Sequence, residues 1–403
     1  MQIPTPISPD ALVIGAGPAG LMAAETLASA SHRVHVIEGK PSIGRKFLMA
    51  GKSGLNLTKD EPLTDFIAQY GQAASWLKPM LAEFGPPEVQ AWAQSLGQPI
   101  FTGSTGRVFP KAMKASPLLR AWLSRLDTLG VTHATNWRWQ GLRDGALVFE
   151  TAQGQQTLRP ACTILALGGA SWARLGSDGA WATGLAAAGV GLAPFQPANM
   201  GFAVDWGPQM APHFGKPVKS THLTAGPLHT RGEWVISARG IEGGAIYMLS
   251  RALRDGYPLV IDLLPDLSHT IVTQRLEKQG KTSLSTHLRK ALHLDPTRIA
   301  LVHECARSAH GQPQPSPAAR AKQLKALTLH ITHPHPMDEA ISTAGGIQQS
   351  SLTDGLELRA RPGTFACGEM LDWESTTGGY LITACLATGR WAGQNAAQFL
   401  KNR

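Results

Sequence analysis

The stretch ALVIGAGPAGLMAAETLASASHRVHVIEG, Ala11 to Gly39, constrains this chain more than any other. Leu12–Ile14 predict a strand, Gly15, Gly17 and Gly20 make a G-x-G-x-x-G turn, Leu21–Ser29 suit a helix, and Val34–Ile37 resume the strand pattern. Gly15 permits the tight turn, Gly17 lets a pyrophosphate approach the backbone, and Gly20 lets helix and sheet pack closely. The helix N-terminus adds partial positive charge. Glu38 closes the second strand 18 residues after Gly20, where a carboxylate accepts ribose hydroxyls and disfavours a 2′-phosphate. Strand, turn, helix and acid together predict dinucleotide binding through Gly15, Gly17, Pro18, Ala19, Gly20, Glu38, Gly39 and Lys40.

The motif does not choose between NAD and FAD. A later strand, CTILALGGAS (Cys162–Ser171), brings Ala166, Gly168 and Gly169 to where a returning chain passes a cofactor. Near the C-terminus, Thr364–Cys367 predict a strand, Gly368–Glu369 a turn, and Gly378–Gly379 the start of a long helix from about Tyr380. Two remote pieces built around one ligand imply a split domain with an insertion, the arrangement of flavoproteins in which FAD spans a two-dinucleotide fold. With only one G-x-G-x-x-G, no second Rossmann domain is dedicated to NAD(P)H, so NAD(P)H visits transiently or electrons arrive from a partner. The absence of CxxC excludes disulfide-reductase chemistry.

At 403 residues the chain is long enough for two or three domains. Residues 1–192 read as the first part of the FAD domain, 193–335 as an inserted domain, and 336–403 as the second part. Within the insertion, 193–267 and 326–335 read as β-rich, with FAVDW, SAR, AIYML, PLVIDLL and ALTLHIT as short strands, and 268–325 as helical around a GQPQPSP loop. Scattered cysteines and the lack of an apolar run long enough to cross a bilayer point to a cytoplasmic protein with no membrane association. The oligomeric state stays open.

The formal charge is +9. Between Ser268 and His330, ten Lys or Arg (Arg275, Lys278, Lys281, Arg289, Lys290, Arg298, Arg307, Arg320, Lys322, Lys325) face three acids, a surplus of seven. This module is either a solvated helical face or a phosphate-backbone footprint. His330, His333 and His335 lack acidic or thiol partners nearby and read as loop residues, so no metal is expected.

The loop GRKFLMAGKSGLNLT (Gly44–Thr58), with GRVFPKAMKAS, ILALGGAS, STAGGI and GEMLDWESTTGGY, resembles the HI0933-like (YhiN/BaiN) family of FAD-dependent flavoproteins, within it a shorter uncharacterised subgroup. The resemblance covers nearly the whole chain. It implies a Rossmann-like α/β FAD domain with an inserted β-barrel-like domain carrying a small helical insertion. It also implies tightly bound FAD and reduction of an activated C=C bond by hydride from flavin N5, with NAD(P)H as donor. The substrate is then a small conjugated enone or, in another branch, a ribosomal RNA uridine. A flavin-dependent RNA modifier of another type and a flavin-bearing binding protein stand as alternatives.

Of the loop residues, Arg45 and Lys46 are expected near the pyrophosphate, Gly51 and Gly54 at a close backbone approach, and Asn56 as a neutral hydrogen-bonding group. Gly368 and Glu369 resemble the family's ribityl-contacting turn, and Gly378, Gly379 and Tyr380 stand where a helix N-terminus faces the flavin. Tyr380 and Glu374 are the candidate catalytic residues, with a packed aromatic as the alternative for Tyr380, and the catalytic acid stays unassigned. Arg107, Lys111 and Lys114 are candidates for substrate or phosphate contact. Many family members carry Arg-Cys before the asparagine, where this chain has Gly54-Leu55. A thiol-based proton step is therefore not carried over.

Overall fold

A computed structural model describes residues 9–52, 54–278, 282–307 and 315–403. The chain divides into two compact units, Met1–Gln196 with Met337–Arg403, and Pro197–Pro336.

The first unit is built on a five-stranded parallel sheet in the order Thr364–Ala366, Cys162–Leu165, Ala11–Ile14, Val34–Glu38, Thr132–Thr135. Ala11 lies opposite both Cys162 and Val34, so the central strand is hydrogen-bonded along both edges. Ala11–Ile14 and Cys162–Leu165 are buried at every position, as expected of a sheet covered on both faces. Helix Pro18–Ser29 follows the first strand, and Tyr380–Lys401 packs against it. Gly389 makes that crossing close: a Cβ there would stand 2.3 Å from the Ala19 carbonyl oxygen. Leu192–Ala198 pairs with Ser342–Ile347, and two antiparallel three-stranded sheets accompany the parallel one. One is the meander Arg138–Arg143, Ala146–Thr151, Gly154–Leu158; the other orders Thr58–Lys59, Arg107–Pro110, Ile100–Thr102.

The second unit carries a six-stranded antiparallel sheet, ordered Phe202–Ala203, Gly240–Glu242, Leu228–Ser237, Pro217–Ala225, Leu259–Asp262, Leu327–Leu329. Four helices, His269–Leu276, Leu284–Leu292, Pro296–Cys305 and Pro317–Lys325, begin after Ser268, Ser283, Asp295 and Ser316, whose side chains each accept an N–H from the first turn. AIYML is not a strand. It lies in helix Gly244–Arg254, where Ala245, Ile246, Leu249, Ala252 and Leu253 recur on one buried face. Residues 311–314 of the GQPQPSP loop and Lys281 lie outside the described residues.

Candidate cofactor site

The three motif glycines do different work. Gly15 has φ +104°, and a Cβ there would stand 2.2 Å from the Ala166 carbonyl oxygen; at Gly20 it would meet the Gly15 carbonyl oxygen at 1.9 Å. Both positions are closed by backbone. Gly17 is the N-cap of the first helix in extended conformation, and a Cβ there meets nothing within 4 Å. Gly17 faces a cavity of about 410 Å³. Pro18 opens the helix, where its missing N–H leaves no donor unpaired, and the first turn holds no acid. The helix end therefore presents backbone N–H groups and partial positive charge to the cavity.

Glu38 is fastened from below: Ala16 N donates to Oε2 at 3.1 Å and Lys40 N to Oε1 at 2.9 Å. Burial raises its pKa, and these two N–H groups work against the rise. Arg45 starts a short helix after Gly44, which adopts a left-handed φ of +68°, and its Nη1 donates to Ser42 Oγ at 3.2 Å. At the far end Lys46 Nζ donates to Ser171 Oγ at 2.8 Å and to Glu369 Oε2 at 2.5 Å. Glu369 Oε1 accepts Thr343 N at 3.0 Å. Lys46 is thus committed to a carboxylate, and Arg45, with Lys40 also on the wall, is left for a phosphate.

Gly15, Gly17, Pro18, Ala19, Glu38, Gly39, Lys40, Arg45, Lys46, Ala166, Gly168, Gly368 and Glu369 all line this cavity. Gly20 and Gly169 stand behind it; a Cβ on Gly169 would run into Thr343 at 2.5 Å. Gly51, Gly54, Asn56, Gly378, Gly379 and Tyr380 do not line it. Gly51 packs on Ala115, and Gly379 (φ +104°) on Thr58, whose Cα a Cβ would approach to 2.4 Å. Tyr380 is buried, its ring tilted against Phe66 at 4.7 Å between centroids, and its hydroxyl donates to Glu61 Oε1 at 2.6 Å while accepting from Lys59 Nζ at 3.0 Å. Burial and the Glu61 carboxylate raise its pKa. Glu374 is half-buried, and Leu55 is fully buried at the position of the family thiol.

The sequence did not point to the wall formed by Trp137–Gly141 and by Leu175–Asp178. Three buried polar atoms on cavity-lining side chains have no hydrogen-bond partner among the described residues: Arg45 Nε, Trp139 Nε1 and Ser177 Oγ. Unpaired buried polar groups are costly, so a polar ligand at this place is what satisfies them. Two donors and a hydroxyl beside an open helix N-terminus, with a carboxylate at the end of the second strand, fit a dinucleotide: phosphate oxygens for Arg45 and the helix, hydroxyls for Glu38, and ring or sugar acceptors for Trp139 and Ser177.

The HI0933-like protein Rossmann domain model matches residues 9–395. The chain belongs to the HI0933-like family. This HI0933-like chain is an FAD-dependent oxidoreductase and a flavoprotein. It is 28% identical to the 3-dehydro-bile acid delta(4,6)-reductase of Clostridium scindens, covering 96% of this chain and 98% of that protein. It is 23% identical to the ribosomal RNA dihydrouridine synthase of Escherichia coli, over 92% and 94%. Its fold is similar to that of the 3-ketosteroid-delta4-(5alpha)-dehydrogenase of Rhodococcus jostii RHA1, with a TM-score of 0.51 at 18% identity over 96% of each chain.

The basic helices of the second unit are less free than their charge count implies. Arg298 is held by the Lys219 carbonyl and Asp295, Arg307 by Glu304 and the Asp205 carbonyl, and Lys325 by Asp262 and two backbone carbonyls. Arg320 is buried and donates to Gln323. Arg275, Lys278, Arg289, Lys290 and Lys322 remain exposed. Among the described residues no group of three His, Cys, Asp or Glu could hold a metal ion, and no helix is long and apolar enough to cross a membrane.

Proposed function

We propose that this protein reduces a C=C bond conjugated to a carbonyl, in the cytoplasm, with NADH or NADPH as the transient electron donor. The observation that carries the cofactor half of this reading is the cavity with Gly17 open to it and three unpartnered polar groups on its wall. When bound, FAD supplies a two-electron carrier able to pass hydride from N5 to an electron-poor carbon.

The chain's own residues then have these roles. Gly17 and the helix behind it hold the pyrophosphate with Arg45, and Glu38 takes ribose hydroxyls on the lone pairs its two backbone donors leave. The Lys46–Glu369 pair positions the ribityl end. Gly378 and Gly379, at the start of the 22-residue C-terminal helix, offer its N-terminal partial charge to a ring that becomes more electron-rich on reduction. Tyr380 and Glu374 are the candidates for handing a proton to substrate; for Tyr380 this requires its hydrogen to leave Glu61. We take residues 193–335 as the inserted domain, and 1–192 with 336–403 as the cofactor domain.

The carbon–carbon bond is the part shared by the two relatives' names: one reduces a bile-acid ring and the other makes dihydrouridine. The reading is tested by adding NADH or NADPH anaerobically to the purified protein and following absorbance near 450 nm, the oxidised flavin band. Bleaching, followed by recovery on adding a conjugated dienone steroid or a uridine-containing RNA, is expected. No bleaching with either nucleotide would remove the NAD(P)H donor. Bleaching that no conjugated carbonyl compound reverses would remove the reaction.

A further inference from the structure

The strand Ile100–Thr102 runs antiparallel to Arg107–Pro110 and sets Phe101 opposite Phe109. Their rings stack at 5.6 Å with planes 25° apart. Phe101 is 40% exposed and Met113 38%. Loop residue Gly54 borders both neighbours, since a Cβ there would stand 2.8 Å from Met113 Cε and 4.0 Å from Phe109 Cε1. Hairpin and loop thus make one surface with a stacked aromatic pair, Phe101 exposed and Phe109 half-buried.

Lys52, Lys111 and Lys114 around this face are exposed and Arg107 is half-buried. None of the four side chains makes a hydrogen bond or ion pair among the described residues. No acid occurs between Gly39 and Lys59, or between Val89 and Leu126. The acids just after the adjoining strand, Asp60 and Glu61, lie toward the Gly106 end, and Glu61 is neutralised by Lys59 at 2.6 Å. The face also reaches the start of the C-terminal helix: a Cβ on Gly378 would stand 3.9 Å from Arg107 Nε.

We propose that this face, with Phe101 and Phe109 as its centre and Lys52, Lys111, Lys114 and Arg107 as its rim, docks single-stranded RNA. A small anionic ligand needs one or two cations, whereas four unpaired cations around two stackable rings match a polymer carrying one charge and one flat ring per repeat. A duplex hides its ring faces and does not match. The exposed helices of the second unit carry cations but no exposed stacked aromatic pair among the described residues. The proposal rests on the C=C reductase reading, because uracil presents a ring C=C bond conjugated to a carbonyl.

The experiment is fluorescence anisotropy of a labelled oligouridine with the oxidised, FAD-loaded protein and no electron donor, across a salt series. Binding that weakens with salt is expected. Phe101→Ala with Phe109→Ala should weaken it about 5- to 100-fold at an unchanged salt slope. Lys52→Gln, Lys111→Gln and Lys114→Gln together should make the log–log salt slope shallower by about 2. Hydrogen exchange on the unaltered protein should show RNA protecting residues 99–114, a readout independent of how the variants fold. Oligouridine binding no tighter than a duplex or polyphosphate of equal charge overturns the proposal. So does binding that responds to Arg289→Gln with Lys290→Gln and not to the aromatic pair. Because no reduction is involved, failure here leaves the reductase reading standing, and failure to bleach with NAD(P)H leaves this surface standing.

Discussion

Lys46 and Glu369, 323 positions apart, form an ion pair of 2.5 Å at the edge of the cofactor cavity. It joins the short helix after the second strand to the turn after the last one. Both side chains are only partly exposed, 29% and 12%, so the pair is worth more than an open surface bridge and less than a sealed one. Lys46→Met leaves the carboxylate with Thr343 N alone and should lower stability by about 1–2 kcal/mol, a few °C in melting temperature. It should also speed FAD loss on dialysis. Melting curves with and without added FAD check this, and a variant that melts and retains flavin like the unaltered protein would refute the pair's role.

The motif glycines should separate binding from folding. Gly17→Ala places a methyl in open space, so the apo-protein should melt within about 1 °C of normal while FAD affinity drops by about tenfold or more. Gly20→Ala drives a methyl into the Gly15 carbonyl, 1.9 Å away, and should destabilise the apo-protein by about 1–3 kcal/mol. Calorimetry of the apo-proteins with flavin titration decides; the opposite ranking would be fatal to this assignment.

Glu25 ties the first helix to two others. Its carboxylate accepts Trp122 Nε1 at 2.5 Å, Trp92 Nε1 at 3.4 Å and Arg125 Nη1 at 3.0 Å. Glu25→Ala strands buried indole donors and should cost about 2–4 kcal/mol; Glu25→Gln keeps an acceptor and should cost less. Thermal melts should fall in the order unaltered, Gln, Ala. Equal melting of all three would show the cluster to be incidental.

Thiol reactivity should be low in the native state. Burial pushes Cys162, Cys305 and Cys385 up to about 12 and Cys367 higher still. Since thiolate is the reactive form, reaction with a disulfide reagent at pH 8 should be slow and should quicken with rising pH. In denaturant all four cysteines should react at once, each near its ordinary pKa. Fast reaction of a native thiol at pH 8 would contradict the burial argument.

Where a position answers to a local backbone requirement, its place in the fold was legible in the sequence. Gly15, Gly17, Gly20 and Glu38 announce themselves because turn, helix start and strand end are fixed within a few residues of each other. Trp139 and Ser177 were not legible: the alternation in RWQGLR indicates a strand, yet which side meets the cavity is settled by how the meander docks. Lys46 likewise reads as a free cation until folding delivers Glu369. AIYML misled because a short apolar run does not reveal its period; only with Ala252 and Leu253 added does helical spacing emerge. The hairpin of Pro217–Ala225 and Leu228–Ser237 went unread as a pair, although Gly226 with φ +53° marks its turn.

The last strand of the parallel sheet, Thr364–Ala366, and the helix Tyr380–Lys401 come from the final tenth of the chain, yet the cavity runs from Ile14 to Cys385. On a ribosome, then, the glycine turn emerges long before the last strand and the C-terminal helix that complete the cavity around it. Until Glu369 and the C-terminal helix have been added, part of the lining of this cavity is missing, so flavin retention is expected only once the turn after the last strand has folded against Lys46.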